Sequence, residues 1–286
     1  MRHFALGLVS VSALIAVPVS NASAAPVYTT VDAPGAQYTK VFGISDKGAA
    51  VGIYEDQQNA VHGFERDPQG SVTPIDIVGA TRTEAYGINK GGVIVGMYVA
   101  AGVTHGFVSD PQSGVTTLDV PNASSTAATA IDNEGDIAGY FVSGGSAHGF
   151  LRDPQGGFTT IDAPGATNTY AWGVAGPKSV SGYFGDASGI HGFLRKSDTK
   201  VTIIDVPNAK STLAWGCSAR GVVGNYQAQD SSINGFLRTK KGTISTIDDP
   251  DAYRYTVAIS INKKGSIAGW FSDDHGIGHG FIRTGR

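Results

Sequence analysis

The chain has 286 residues, of which 41% are hydrophobic and 16% are charged, and its formal net charge is −3. Its 40 glycines and frequent threonine and valine favour strands and turns over helices, and the length suits one large β domain or two ordinary ones. The mild charge, with no run of more than two neighbouring basic residues, argues against nucleic acid or an anionic membrane surface as a partner.

The N-terminus has the pattern of a secretory signal peptide. Arg2 and His3 give a short positive region, Phe4 to Val17 is an apolar run, and Ala22-Ser23-Ala24 has the form of a cleavage site. We therefore expect residues 1–24 to be removed, and residues 25–286 to form a single domain of a secreted or periplasmic protein. No membrane span is expected, because the apolar run is short and no later segment is longer.

The rest of the chain repeats with a period of roughly 43 residues. Two independent markers give the same count of six copies. An aspartate that follows Ile, Val or Leu recurs at Asp32, Asp76, Asp119, Asp162, Asp205 and Asp248. A tripeptide that ends in Gly-Phe begins at His62, His105, His148, His191, Asn234 and His279.

Each copy contains four short strand candidates separated by turn residues. In the third copy they are Thr126–Asp132, Asp136–Phe141, His148–Asp153 and Gly157–Asp162. The first strand is rich in alanine and glycine, so we place it innermost, where strands crowd around an axis. Four short strands in each repeat of this length are typical of a propeller blade. The sequence therefore predicts an all-β fold, a six-bladed β-propeller with four antiparallel strands per blade.

The two ends of the chain predict how the ring closes. The mature chain begins with an outermost-type strand, Tyr28–Asp32, and ends with a third-type strand, His279–Arg283, that no fourth strand follows. The N-terminal strand can therefore complete the last blade and remove the free sheet edges that invite aggregation. An open solenoid is the alternative, but it would need distinct capping repeats, and none is visible. We expect a monomer.

Five copies contain the tripeptide His-Gly-Phe, and the fifth has Asn234-Gly235-Phe236 in its place. Steps such as Gly87-Ile88-Asn89 and Val95-Gly96-Met97-Tyr98 also recur in form. In these motifs the chain resembles the HAF-type extracellular repeats, which are named for a His-Ala-Phe tripeptide and are common in exported bacterial proteins. The resemblance covers nearly the whole mature chain. It implies a propeller-like exported protein, and it implies no reaction.

Structural roles are favoured for the repeated histidines and for the single cysteine. A residue present in five blades serves each blade, so we predict that each histidine hydrogen-bonds to the aspartate that ends the fourth strand. The Asp-x-Pro-Gly steps at Asp32–Gly35 and Asp162–Gly165 are turn sequences. Cys217 stands where other copies carry Ile or Val, so we expect a small buried hydrophobe, not a nucleophile, and no internal disulfide.

Binding residues are expected where the copies differ. The loops between second and third strands vary most, and the start of each innermost strand, which should line the mouth of the central channel, varies as well. Alignment of the copies places Arg254 at the same level as Tyr38. The predicted ligand-binding mouth consists of Tyr38, Lys40, Arg82, Glu84, Tyr170 and Arg254. This mix of polar and aromatic groups suits a sugar or a small anion, and ordinary solvated surface is the alternative.

The last blade carries an unusual set of acidic residues in two loops that should share one face. The set consists of Asp249, Asp251, Asp273, Asp274 and His275. These groups could bind Ca²⁺ or another divalent ion, or supply paired carboxylates for acid–base chemistry. A solvated acidic patch is the alternative, and no other cofactor is expected.

The sequence contains no nucleophile elbow, zinc-protease helix, calcium loop or phosphate loop. The leading hypothesis is therefore an exported, non-catalytic module that binds a glycan, a peptide or a partner protein through its variable face. The alternative is an extracytoplasmic hydrolase or lyase that acts on a carbohydrate or a lactone at the channel mouth. A structural surface protein without a small ligand is the third option. Fold alone does not decide, because propellers host unrelated functions.

Overall fold

The computed structural model describes residues 25–176, 178–197 and 200–285. These residues form 24 strands in six four-stranded antiparallel sheets. Each sheet is one blade that packs against its neighbours around a central channel, so the predicted six-bladed β-propeller is confirmed. The predicted signal peptide, residues 1–24, lies outside the described residues. Within the described ranges, no helix is long and apolar enough to cross a membrane.

Blades I to III each run from the innermost to the outermost strand along the chain. Blade I consists of β2 (Tyr38–Ile44), β3 (Ala50–Glu55), β4 (Val61–Arg66) and β5 (Val72–Ile75). Blade II consists of β6 (Arg82–Ile88), β7 (Ile94–Ala100), β8 (Val103–Asp110) and β9 (Gly114–Leu118). Blade III consists of β10 (Ser125–Ile131), β11 (Ile137–Ser143), β12 (Ser146–Arg152) and β13 (Phe158–Ile161).

Blades IV and V have the same order, and blade VI takes its outermost strand from the start of the chain. Blade IV consists of β14 (Asn168–Val174), β15 (Val180–Asp186), β16 (Gly189–Ser197) and β17 (Lys200–Ile204). Blade V consists of β18 (Ser211–Ser218), β19 (Gly221–Gln227), β20 (Ile233–Thr239) and β21 (Ile244–Ile247). Blade VI consists of β22 (Thr256–Ile261), β23 (Ile267–Ser272), β24 (Gly278–Thr284) and β1 (Val27–Val31).

Strand β1 closes the ring. It pairs with β24 in antiparallel register, with Tyr28 opposite Arg283 and Val31 opposite Gly280. The first and last strands of the described chain therefore share one sheet, as the two ends of the sequence predict. This pairing covers the outer edge of β24, which would otherwise be free to pair with another chain.

The phenylalanines of the repeated tripeptide fill the interfaces between blades. Each is at most 1% exposed: Phe64, Phe107, Phe150, Phe193, Phe236 and Phe281. Phe64 packs in one cluster with Ala268 and Ile282 of the preceding blade. A Cβ on Gly52 in the second strand would lie 1.9 Å from the Lys40 carbonyl oxygen and 2.9 Å from the Phe64 ring. Close packing therefore explains why both the phenylalanine and that glycine recur in every copy.

Buried threonines fix the loops that cross from one blade to the next. In every innermost strand a threonine hydroxyl accepts a backbone N–H from the preceding crossing loop, at 2.9–3.2 Å. The donor and acceptor pairs are Ala33–Thr39, Ile77–Thr83, Val120–Thr126, Ala163–Thr169, Val206–Thr212 and Asp249–Thr256. The crossing loops share one face with the loops between second and third strands. We call it the mouth face, and the opposite one the far face.

Candidate functional site

Each innermost strand contains a β-bulge at the same position. The register with the second strand shifts between Val41 and Gly43 in blade I, and at the equivalent place in the other five blades. The extra residue is left out of the hydrogen-bonded ladder, and the bulge re-aims its side chain. The six extra residues are Phe42, Tyr86, Thr129, Trp172, Trp215 and Ile259.

Four of these side chains are aromatic and contact one another edge to face. The ring centroids of Phe42 and Tyr86 are 5.2 Å apart, and those of Tyr86 and Trp172 are 5.5 Å apart. The centroids of Trp172 and Trp215 are 4.6 Å apart. Tyr86 and Trp172 belong to blades II and IV, which are not neighbours, so their contact crosses the channel. We call these four rings the aromatic layer. It separates the mouth from a cavity of about 340 Å³ on the far side.

On the mouth side of this layer, alternate residues of the innermost strands face the channel. Lys40, Glu84 and Tyr170 lie two positions before the bulge, and Tyr38 and Arg82 lie four positions before it. The Lys40 Nζ is 5.1 Å from the centroid of the Tyr38 ring, and the Arg82 Nε donates a hydrogen bond to Glu84. Five of the six predicted mouth residues therefore lie at one end of the channel.

Arg254 does not share this level, because the crossing loop into blade VI is one residue longer than the others. The Asp249 N–H bonds to the Thr256 hydroxyl seven residues on, whereas the equivalent bond in the other blades spans six. The loop accommodates the extra residue at Arg254, whose backbone has a φ of 61°. The Arg254 Nη2 donates a hydrogen bond to Asp230 Oδ2 at 3.0 Å. The sequence alignment that placed Arg254 level with Tyr38 is therefore wrong by one residue. Tyr255 is the residue of blade VI that corresponds to Tyr38.

Three aromatic residues of the second strands complete the mouth, and they were not among the predicted residues. Between ring centroids, Trp270 lies 4.8 Å from Tyr255, and Tyr183 lies 4.9 Å from Tyr170. Tyr140 lies 5.1 Å from Tyr170. All three directly follow the tightly packed glycine of the second strand. The position after that glycine is therefore the sequence signal that points to them.

Glu84 is a buried carboxylate within the mouth, only 4% exposed. Arg82 donates to one of its oxygens, and the Tyr86 hydroxyl donates to the other at 2.5 Å. Burial, together with the Glu84 charge, holds the pKa of Tyr86 well above its ordinary value, so this phenol stays a donor. The Arg82 guanidinium balances the charge of the Glu84 carboxylate, and the bond between them fixes the Arg82 side chain at the edge of the opening.

Lys40 is held by aromatic rings and not by a carboxylate. Its Nζ lies 4.1 Å from the centroid of the Trp270 ring, within the range of a cation–π interaction. Burial lowers the pKa of Lys40, and the Glu84 charge opposes this shift. No carboxylate of the described residues lies within ion-pair distance of the Lys40 ammonium.

The tyrosines of the mouth are neutral hydrogen-bonding and stacking groups. Burial raises the pKa of Tyr140 and of Tyr183. The charge of Glu84 raises the pKa of Tyr140 further, and the charge of Tyr170 does so for Tyr183. Burial also raises the pKa of Tyr38. A phenol with a raised pKa is a poor general base near neutral pH, so these rings are suited to contact a ligand and not to take a proton from it.

The predicted His–Asp pairs are confirmed in five blades, with Nδ1 to carboxylate distances of 2.8–3.0 Å. They are His62–Asp76, His105–Asp119, His148–Asp162, His191–Asp205 and His279–Asp32. In blade V the Asn234 amide donates to Ser232 Oγ at 3.1 Å, and burial raises the pKa of Asp248. Since each pair joins the third strand to the fourth, it ties the outer part of a blade together, away from the mouth.

The acidic residues of blade VI fall into two places. Asp273, Asp274 and His275 bring potential ligand atoms within 4.8 Å of one another. One Asp273 oxygen accepts two backbone N–H groups of its own loop, at 2.8 and 2.9 Å, so this carboxylate already shapes the loop. Asp249 is buried in the crossing loop, where it accepts the Asp251 N–H, and neither residue joins that group. Calcium binding stays a prediction.

Cys217 is a small buried hydrophobe, as its place in the repeat predicts. It is 8% exposed, and burial raises the pKa of its thiol to about 11. The nucleophilic thiolate is therefore scarce near neutral pH. The residue lines the cavity on the far side of the aromatic layer.

No protein-family profile and no curated protein matches the chain. Virginiamycin B lyase from Staphylococcus aureus is similar in structure, with a TM-score of 0.53 at 12% identity over 91% of this chain and 99% of that chain. The likeness is one of fold. A fungal lectin from Aleuria aurantia, described as a six-bladed propeller that recognises fucose, has a TM-score of 0.53 at 13% identity over 86% and 93%. A streptogramin B lyase reaches 0.51 at 12% identity over 91% and 98%.

Proposed function

We propose that this protein is an exported, non-catalytic propeller that binds a glycan at the mouth of its channel. The observation that carries the proposal is the ring of aromatic side chains around one opening, beside Lys40 and Arg82, with the aromatic layer closing the channel beneath. Tyrosine and tryptophan offer a flat apolar surface with a polar edge, which suits the mixed surface of a sugar ring. The mouth-lining residues differ from blade to blade, so they form one asymmetric site instead of six equal ones.

Binding is favoured over catalysis by the protonation chemistry of the mouth. Both oxygens of Glu84 are engaged by donors, and burial raises the pKa of Tyr86, Tyr140 and Tyr183. The paired histidines lie on the outer strands. The hydrogen-bonded Glu84 carboxylate and these neutral phenols are therefore better suited to hold a ligand than to take a proton from it. The lectin among the similar structures supports this choice only in that its architecture is compatible with sugar recognition.

A glycan array probed with residues 25–286 tests the proposal, followed by calorimetric titration of each bound glycan. Trp270→Ala is expected to weaken binding about tenfold or more, because it removes a central aromatic surface. Tyr98→Ala on the outer part of blade II is the matched control and should bind normally. An array without a bound glycan, or a Trp270→Ala variant that binds like the parent, would contradict the proposal. If the array shows no glycan but a protein binds and Trp270→Ala abolishes that binding, the ligand of the mouth is a protein partner and not a glycan.

A lyase or hydrolase that acts on a carbohydrate or a lactone is the second candidate. It is favoured by one observation, the buried Glu84 carboxylate that faces the channel beside Arg82 and Tyr86. Incubation with the bound glycans and with lactones, followed by mass spectrometry, tests for turnover. Product formation that Glu84→Gln abolishes would establish this function. Unchanged ligands after prolonged incubation would leave binding as the activity.

Export is part of the proposal. It is supported by the pattern of residues 1–24 and by the resemblance to the HAF-type extracellular repeats. Mass spectrometry of the protein recovered outside the cytoplasm should show an N-terminus at Ala25. Protein that stays in the cytoplasm with residues 1–24 intact would contradict this part.

A further inference from the structure

The Lys40 ammonium is a half-buried cation whose donors are not satisfied by the protein. An ammonium has three N–H donors, yet within the described chain the Lys40 Nζ contacts the rings of Trp270 and Tyr38, at 4.1 and 5.1 Å from their centroids. Rings compensate the charge but accept no conventional hydrogen bond. The ammonium faces the open side of the aromatic layer, where a ligand oxygen can approach it.

Arg82 adds a second set of free donors to the same opening. Its Nε is occupied by Glu84, while its two terminal nitrogens form no hydrogen bond with the described residues. The Arg82 side chain is 43% exposed at the edge of the mouth. The Arg82 charge also lowers the pKa of Lys40, so the two cations lie within electrostatic reach of each other.

The nearby carboxylates do not occupy these donors. Glu84 binds only the Nε of Arg82, and its other oxygen accepts the Tyr86 hydroxyl. Glu55 raises the pKa of Lys40 through its charge, but it forms no ion pair with Lys40 in the described chain. Two adjacent cations therefore keep donor capacity at the mouth, and a planar anion with two acceptor oxygens matches that arrangement.

We infer that the mouth is selective for glycans that carry a carboxylate, the uronic acid class. This inference rests on the proposed function and names its ligand. The carboxylate bridges the Lys40 ammonium and the terminal nitrogens of Arg82, and the sugar ring lies against the aromatic rings next to Trp270. Charge-assisted hydrogen bonds in a half-buried site are strong enough to set specificity, because a neutral analogue leaves both cations without an acceptor.

Oligogalacturonides and their methyl esters are the probes, since esterification removes the charge of the carboxyl group and adds only one methyl group. We expect the acid to bind about tenfold or more tightly than the ester at low salt. Lys40→Met should remove this preference, and Lys40→Arg should keep most of it. Lys47→Met is the matched control, because Lys47 is an exposed lysine of the same blade on the far face. Thermal unfolding of each variant checks that the fold is kept.

The outcomes separate this inference from the proposed function. Equal affinity for acid and ester, with other glycans bound at the mouth, would overturn the uronic acid inference and leave glycan binding standing. A preference for the acid that Lys40→Met keeps, or that Lys47→Met loses, would also overturn it. Failure to bind any acidic or neutral glycan would instead overturn the proposed function itself.

Discussion

The two halves of the channel are built by the same six strands, yet the copies agree in one half and differ in the other. Two positions beyond the aromatic layer, toward the far face, every copy has an apolar residue: Ile44, Ile88, Ile131, Val174, Cys217 and Ile261. Two positions before it, toward the mouth, the copies have Lys40, Glu84, Ala127, Tyr170, Leu213 and Val257. Equal positions serve packing that every blade needs, whereas unequal positions build a single site.

The most direct test of this comparison is to substitute a glycine that every copy shares. In β15, a Cβ on Gly182 would lie 2.0 Å from the Tyr170 carbonyl oxygen and 2.8 Å from the Phe193 ring. Gly182→Ala is therefore expected to lower the free energy of unfolding by about 3 kcal/mol or to prevent folding. Gly185→Ala in the same strand is the control, because the nearest atom to its Cβ would be 4.0 Å away. Urea denaturation measures both, and equal stabilities would break the comparison.

Much of the fold can be predicted from the sequence because blades repeat their turns and close contacts. The blade number, the closing strand and the His–Asp pairs each depend on residues that recur at one spacing. Arg254 could not be placed, because a single inserted residue in a crossing loop moves the following strand without changing the markers around it.

The mouth was less predictable because the alternation of side chains breaks at each bulge. Phe42 and Trp172 sit at bulges, so simple counting along the strand does not show that they meet in the channel. Trp270 and Tyr183 reach the mouth from the second strand, which strand order alone places behind the first. Five of the six predicted residues lie together at the mouth end of the channel, since they precede the bulge.

Asp249 tests whether a residue that differs from the other copies contributes to function or to packing. It lies in a crossing loop, at a position where the other five copies have an apolar residue. It stands where two other copies have Ala33 and Ala163, and its Oδ2 is buried without a hydrogen-bond partner. Burial raises its pKa, so the folded protein binds this proton more tightly than the unfolded chain does. The stability contributed by this group therefore falls as the pH rises above the ordinary carboxyl pKa of 3.8.

Asp249→Ala is accordingly expected to raise the free energy of unfolding at pH 7 by about 1 kcal/mol. The gain should shrink as the pH falls toward 4, because protonation of the Asp249 carboxyl group in the folded state removes the cost of burying its charge. Urea denaturation at the two pH values measures it. Asp251→Ala, an exposed carboxylate of the same loop, is the control and should show no gain. A destabilised Asp249→Ala at neutral pH would show that this departure has a structural use.

Asn234 is a smaller departure of the same kind. It is the one tripeptide start that is not a histidine, and it leaves Asp248 without the partner that its equivalents have. Asn234→His should form the sixth His–Asp pair and add about 0.5 kcal/mol. For His62, burial lowers the pKa, but the hydrogen bonds that the imidazole donates to the Asp76 and Asp56 carboxylates outweigh this effect, and the pKa is raised.

We expect the new histidine to behave as His62 does, because Asp248 would accept its hydrogen bond as Asp76 accepts that of His62. A histidine with a raised pKa contributes stability that is fully present below its unfolded pKa and is lost as the pH rises through its folded pKa. The gain from Asn234→His should thus be larger at about pH 5.5 than at about pH 8.5, on either side of the ordinary histidine pKa. In an Asp248→Asn background the gain should vanish. If it persists there, a contact other than the pair stabilises the variant.

Lys40→Met should have the smallest effect on folding, and this is where the two halves of the channel separate most clearly. Methionine keeps the apolar stem against Trp270 and removes a cation that burial already disfavours, so the free energy of unfolding should change by less than about 0.5 kcal/mol. The same substitution is expected to abolish the preference for acidic glycans. Urea denaturation and ligand titration on one preparation measure both quantities. A large loss of free energy of unfolding in Lys40→Met would show that Lys40 is needed for packing. The residues of the mouth would then not be independent of the residues that stabilise the fold.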